Sequence, residues 1–159
     1  MQIQARNDFA ADTLTTHAML TDPAFLAKVC EASGDLAYRV DGVPEHTAVE
    51  RTMEAPSAVR SLLGDRLTLL QEIRWKAADA AGARTGDLEL TVQGMPARAQ
   101  LAIDLRAGGR GTVVTFIGEF TIKVPLLGRS LETKAAPALT AGFDVQQQVG
   151  DDWLAASNR

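Results

Sequence analysis

Three polar side chains stand where the residue alternation calls for apolar ones. Arg51 interrupts Thr47, Val49 and Met53, Gln71 interrupts Leu67, Leu69, Ile73 and Trp75, and Gln146 lies midway along the apolar side of a C-terminal helical pattern. A buried amide or charge without a partner costs ~1 to 3 kcal/mol or more. Such residues therefore either orient a ligand's carbonyl, hydroxyl or carboxylate in an apolar site, or they satisfy themselves locally. For Gln71 and Gln146 the local route is backbone or water; for Arg51 it is an aliphatic stem that carries the guanidinium to the sheet rim. Asn7 is a weaker fourth, read as a strand-end cap. Trp75, Phe116, Phe120, Phe143 and Trp153 supply the large apolar surfaces, which at strand and helix spacing pack as core by default.

Other chemistry finds little footing. His17 and His46 are the only histidines and Cys30 the only cysteine, so neither a zinc site nor an internal disulfide is supported, and no cofactor is expected. Ser57, Ser61 and Ser130 lack a glycine-flanked nucleophile elbow. Gly108-Gly109-Arg110-Gly111 precedes a strand and not a helix, which makes it a hairpin turn and not a phosphate loop. Asp151-Asp152 and the Glu31 to Asp35 cluster read as solvated surface. With a formal net charge of -4 and scattered basic residues, the chain offers no stripe for nucleic acid. No apolar run approaches the ~18 residues of a membrane span, and a cytoplasmic protein is expected.

The elements that must position these residues follow from periodicity. Ile3, Ala5, Asn7 and Phe9 alternate with polar residues as a first strand. Asp12 is placed to cap a helix with Leu14, Ala18 and Met19 on its buried side, and Asp22-Pro23 starts a second carrying Phe25, Leu26, Val29 and Cys30, closed by Gly34. Turn signals at Asp41-Gly42, Ala81-Gly82, Gly94-Met95-Pro96 and Gly108 to Gly111 then separate alternating runs, which predicts an antiparallel meander. Inward sets include Leu88, Leu90 and Val92, then Ala97, Ala99, Leu101, Ile103 and Leu105. The long strand Thr112 to Val124 (~43 Å) matches the helical stretch Arg129 to Ala156 (~42 Å) in length. Gly118 lets that strand bend, so the sheet is expected to curl around the helix. Leu131, Leu139, Phe143, Val149 and Trp153 share the helix's apolar side, and Pro137 predicts a kink or a late start. Without repeats or linkers, the 159 residues are expected to form one domain.

Strand, two short helices, a meander and a long closing helix resemble the START-related, helix-grip superfamily of the birch pollen allergen and polyketide cyclases. Gly118-Glu119-Phe120-Thr121-Ile122-Lys123-Val124-Pro125-Leu126-Leu127-Gly128, with Leu69-Leu70-Gln71-Glu72-Ile73-Arg74-Trp75, is similar to a bacterial family of unknown function within it. The resemblance implies an α+β fold. A curved seven-stranded antiparallel sheet, with two short helices after the first strand, would grip the last helix over a cavity that in relatives holds lipids, sterols, polyketides or hormones. The polar candidates for its wall are Arg51, Gln71 and Gln146; the apolar ones are Trp75, Leu90, Leu101, Phe116, Phe120, Leu139 and Phe143. The resemblance carries no catalytic residue with it.

Three functions fit. The first is a binder or carrier of a small hydrophobic molecule, favoured because Ala97 and Ala99 leave room on their strand. A cyclase- or hydratase-like enzyme would use Arg51, Gln71 or Gln146 to orient substrate, but acid-base chemistry needs a titratable group that the sequence does not single out. An interaction module with a filled core would act through an apolar outer sheet face. Ligand identity and oligomeric state stay open.

Overall fold

A computed structural model describes residues 1–158; Arg159, the last residue of the expected domain, lies outside the described residues. Seven strands, β1 (Gln2–Phe9), β2 (Ala37–Val43), β3 (His46–Glu54), β4 (Arg66–Trp75), β5 (Arg84–Val92), β6 (Ala97–Gly108) and β7 (Gly111–Ile122), form one antiparallel sheet in the order β1-β7-β6-β5-β4-β3-β2. Helices α1 (Thr13–Thr21) and α2 (Pro23–Ala32) follow β1, α3 (Arg60–Leu63) sits between β3 and β4, and α4 (Gly128–Ser157) closes the chain. The fold class is the α+β helix-grip arrangement that the pattern anticipated.

Local chemistry explains most boundaries. Asp12 Oδ1 accepts from the Thr15 amide at 2.8 Å, and Asp22 Oδ1 accepts from Ala24 at 2.8 Å with Pro23 in the first turn. Gly34, at φ 78°, ends α2: its amide donates to Glu31 O (3.1 Å) and that of Asp35 to Cys30 O (3.1 Å). Inward strand residues are buried as alternation requires, with Phe9, Ile103, Leu105, Val114 and Phe116 essentially inaccessible. Gly118 is a steric necessity: a Cβ there would stand 1.8 Å from Gln100 O on the neighbouring strand.

Three expectations need correction. The Leu14–Ala18 side of α1 faces solvent, with Leu14 73% exposed, and the helix instead buries Thr16, His17, Met19 and Leu20. Asp41-Gly42 is not a turn. Both residues pair within β2, the chain reverses at Pro44-Glu45, and Gly42 is there because a Cβ would meet Thr21 O at 2.6 Å. Finally, α4 does not start late; it runs unbroken through Pro137, which lies on its exposed side nine residues in. Proline's missing amide there costs the helix one bond, to the Thr133 carbonyl.

Helix α4 packs against β1, β7 and α2. Phe143 stacks on Phe116 with centroids 4.5 Å apart, and Trp153 meets the edge of Phe25 at 5.6 Å. The helix thus packs directly on the β1 and β7 side of the sheet and stands off from the face of β3, β4 and β5.

Candidate functional site

The face of β3, β4 and β5 is the floor of a cavity of about 640 Å³. Val49 and Arg51 of β3, Leu69 and Gln71 of β4, Leu88 and Leu90 of β5, and Phe120 of β7 form the floor; Leu26, Val29 and Cys30 of α2 form a side wall. The roof is the N-terminal half of α4, with Ala135, Ala138, Leu139, Gly142, Phe143 and Gln146. Gly34, Glu54, Ala138 and Ala141 line the space while remaining exposed, which marks its mouth among the α2–β2, β3–β4 and α4 segments.

Few polar groups interrupt this lining. Arg51 makes a two-point ion pair with Asp35, Nε to Oδ2 at 2.6 Å and Nη2 to Oδ1 at 3.0 Å. The Asp35 carboxylate is fully buried and the Arg51 side chain 12% exposed. The guanidinium therefore does not escape along the rim, and Asp35 is not solvated surface. Burying a carboxylate is tolerable only against a matched cation, which β3 supplies. Cys30, one turn back on α2, shares this corner; burial, with the Asp35 carboxylate also contributing, pushes its thiol up to about 12.

Gln146 donates from Nε2 to Asn7 Oδ1 at 2.8 Å. Asn7, 1% exposed, is not a strand-end cap: its own Nδ2 donates to Phe143 O (3.0 Å) and Arg6 O (3.3 Å). Those two bonds commit its Oδ1 to accepting, which fixes the Gln146 amide with Oε1 left over. The side-chain amide of Gln71, between its cross-strand neighbours Val49 and Leu90, has no hydrogen-bond partner among the described residues. The inward alternation of β1 already singled out Asn7; nothing local signalled Asp35, whose partner is sixteen residues away.

Of the ten wall candidates, Arg51, Gln71, Leu90, Phe120, Leu139, Phe143 and Gln146 come together here. Trp75, Leu101 and Phe116 do not line the cavity. Phe116 is packed under Phe143, and Leu101 sits opposite Gly118 in the closed part of the sheet. Trp75 belongs to the far end, where His17 of α1 meets its ring edge-on at 5.2 Å. Burial, reinforced by the Arg84 charge, holds His17 below the usual imidazole range, and its Nε2 lies 3.3 Å from Arg84 Nη1. At this end Thr47 Oγ1, Trp75 Nε1 and Arg84 Nε are buried without a protein partner.

The C-terminal half of α4 is tied down differently. Gln147 accepts from the Asp8 amide and donates to the Asp8 carbonyl, both at 2.8 Å, so its side chain extends the backbone pairing of β1. Asp151 accepts from Gln147 (3.0 Å) and from Arg110 in the β6–β7 turn (2.9 Å), a structural role where solvated surface was expected. Near the start of the helix, buried Glu132 accepts from the Ile122 amide at 3.3 Å and the Met1 amine at 3.1 Å. Among the described residues no group of three His, Cys, Asp or Glu is placed to hold a metal, and no helix is long and apolar enough to cross a membrane.

The chain belongs to the family described as protein of unknown function (DUF2505), whose model matches residues 4–154. No curated protein matches it. Among solved structures it is similar to TTHA0849 from Thermus thermophilus, with a TM-score of 0.64, 14% identity and 99% of each chain covered. It is also similar to a point mutant of norcoclaurine synthase from Thalictrum flavum in complex with a transition state analogue (TM-score 0.53, 11% identity, 94% of this chain and 93% of that one). A third is Ara h 8.0201 (TM-score 0.50, 13% identity, 94% and 97%). At these identities the likeness shows the helix-grip fold and nothing finer.

Proposed function

We propose that this member of the DUF2505 family is a single helix-grip domain that binds or carries a small hydrophobic molecule, lipid- or polyketide-like, between its sheet and α4. The observation that supports this reading is the cavity itself. Its volume of about 640 Å³ falls within the ~300 to 1,000 Å³ usual for small-molecule sites, and its wall is apolar with a few polar groups held in place. The mouth opens the space to solvent, and water held against a mostly apolar wall is displaced favourably by an apolar ligand.

Holding a molecule fits the wall better than transforming one. Asp35 is committed to Arg51, and the Cys30 thiol stays protonated at neutral pH. Neither is poised for acid-base work in the way a cyclase-like reaction needs. An interaction module working through the outer sheet face is the weaker alternative, because that face carries Glu72, Arg74, Glu89 and Arg98 in ion pairs. Val43, Leu70 and Ile117, its exposed large apolar residues, stand on three different strands.

Native mass spectrometry of the purified protein, with titration of the neutral fluorophore Nile red, tests the reading. A 1:1 bound mass or a saturable fluorescence rise is expected. Absence of both would refute it.

A further inference from the structure

Resting on that carrier reading, the charges around the cavity narrow the ligand class. Arg51 is the cation in the wall, and Asp35 meets it through two hydrogen bonds, so the pair contributes no net charge. The other polar groups within the wall are neutral: the Gln71 amide without a protein partner, and Gln146 with its Oε1 to spare after bonding Asn7. The remaining charge is at the mouth, where Glu54 is 72% exposed to water and pairs loosely with Arg60 at 3.9 Å. A carboxylate entering this space would give up its hydration and find its countercharge already neutralised by Asp35; an ammonium would face Arg51.

We infer that the cavity selects an uncharged lipophile bearing hydroxyl, ketone or amide oxygen, recognised by Gln71, Gln146 and the guanidinium edge that Asp35 leaves free, and that it discriminates against fatty acids. The amides supply both a donor and an acceptor, which suits a neutral group that can do the same. Asp35 is then the residue that sets specificity: it removes the charge that would otherwise make Arg51 a carboxylate anchor.

The test compares three probes of one chain length, dodecanamide, dodecan-1-ol and dodecanoate, as competitors of Nile red at pH 7.5, with stoichiometry from native mass spectrometry. The neutral pair should compete at least about tenfold more tightly than dodecanoate. In Asp35→Asn, which keeps the shape and frees the Arg51 charge, dodecanoate affinity should rise about tenfold or more relative to that of the neutral probes. Dodecanoate binding the wild type as tightly as the amide would overturn the inference and leave the carrier reading standing, as would an Asp35→Asn protein whose dodecanoate affinity is unchanged relative to that of the neutral probes. Binding of none of the three while Nile red still saturates would overturn the inference alone; no binding of Nile red either, and no bound mass, would refute the carrier reading itself. Should Asp35→Asn not fold, the wild-type order decides.

Discussion

Helix α4 contains two interior glycines, and they are there for opposite reasons. A Cβ on Gly150 would stand 2.3 Å from the Phe9 ring, so that glycine lets the helix close onto β1. A Cβ on Gly142 would meet nothing within 4 Å, because the residue looks into the cavity. Glycine costs ~0.8 to 1.0 kcal/mol relative to alanine inside a helix, and at 142 no close contact offsets that. Gly142→Ala should therefore stabilise the protein by about 1 kcal/mol, or roughly 2 to 4 °C in Tm for a chain of this size, with Nile red binding retained. Gly142→Leu adds a side chain whose burial is worth up to ~1.5 to 3 kcal/mol and which takes up ligand space. It should raise the urea midpoint without changing m and weaken the probe about tenfold. The two effects must move in opposite directions on one residue. A destabilised Gly142→Ala, or a Gly142→Leu protein that binds as before, would show that the space beneath residue 142 is not the ligand's.

Other substitutions probe the frame. Thr47→Val replaces a buried, unpartnered hydroxyl with a methyl of the same shape and should stabilise by ~1 kcal/mol in urea denaturation; a loss would mean that the hydroxyl is satisfied in solution. His17 has a folded pKa depressed below 6.5, so the unfolded chain takes up its proton first and stability must fall as pH drops through 6.5 toward the folded value. His17→Gln should flatten that fall between pH 7.5 and 5.5, measured as urea midpoints; an unchanged slope would assign it to other groups. Gly118→Ala forces a Cβ into the Gln100 carbonyl and should cost more than ~3 kcal/mol, since backbone cannot yield as a side-chain tip can. Near-native stability would mean that β6 and β7 can part there.

Period-2 alternation was enough to sort the strand faces, and it picked out Arg51, Gln71, Gly118 and Asn7 as residues out of keeping with their neighbours, as the helical period did Gln146. What alternation reports is the face of a sheet and not the distance along it. Trp75 shares an inward face with Gln71 but lies two positions beyond Ile73, beneath His17, and so falls outside the cavity. Asp35 was hidden for another reason. A carboxylate among charges at a helix end looks the same whether water or a guanidinium sixteen residues on neutralises it, and only the turn at Gly34 aims it at Arg51. Gly42 shows the converse. Asp-Gly is a strong turn signal, yet here the glycine is used because the end of α1 crosses the strand and leaves no room for a side chain.

The pairing of β1 with β7 also sets an order of events during synthesis. β1 leaves the ribosome first, but its partner residues, Thr112 to Glu119, lie more than a hundred residues downstream. At ~5 to 20 residues per second, β1 waits on the order of 5 to 20 s while hairpins β2–β3 through β5–β6, whose contacts are local, can already form. During that interval the concave apolar face is uncovered, because α4, which roofs it, emerges after all seven strands. A hydrophobic ligand present at that moment would meet an open trough and be enclosed as α4 docks, so in the proposed carrier loading would be a step of folding.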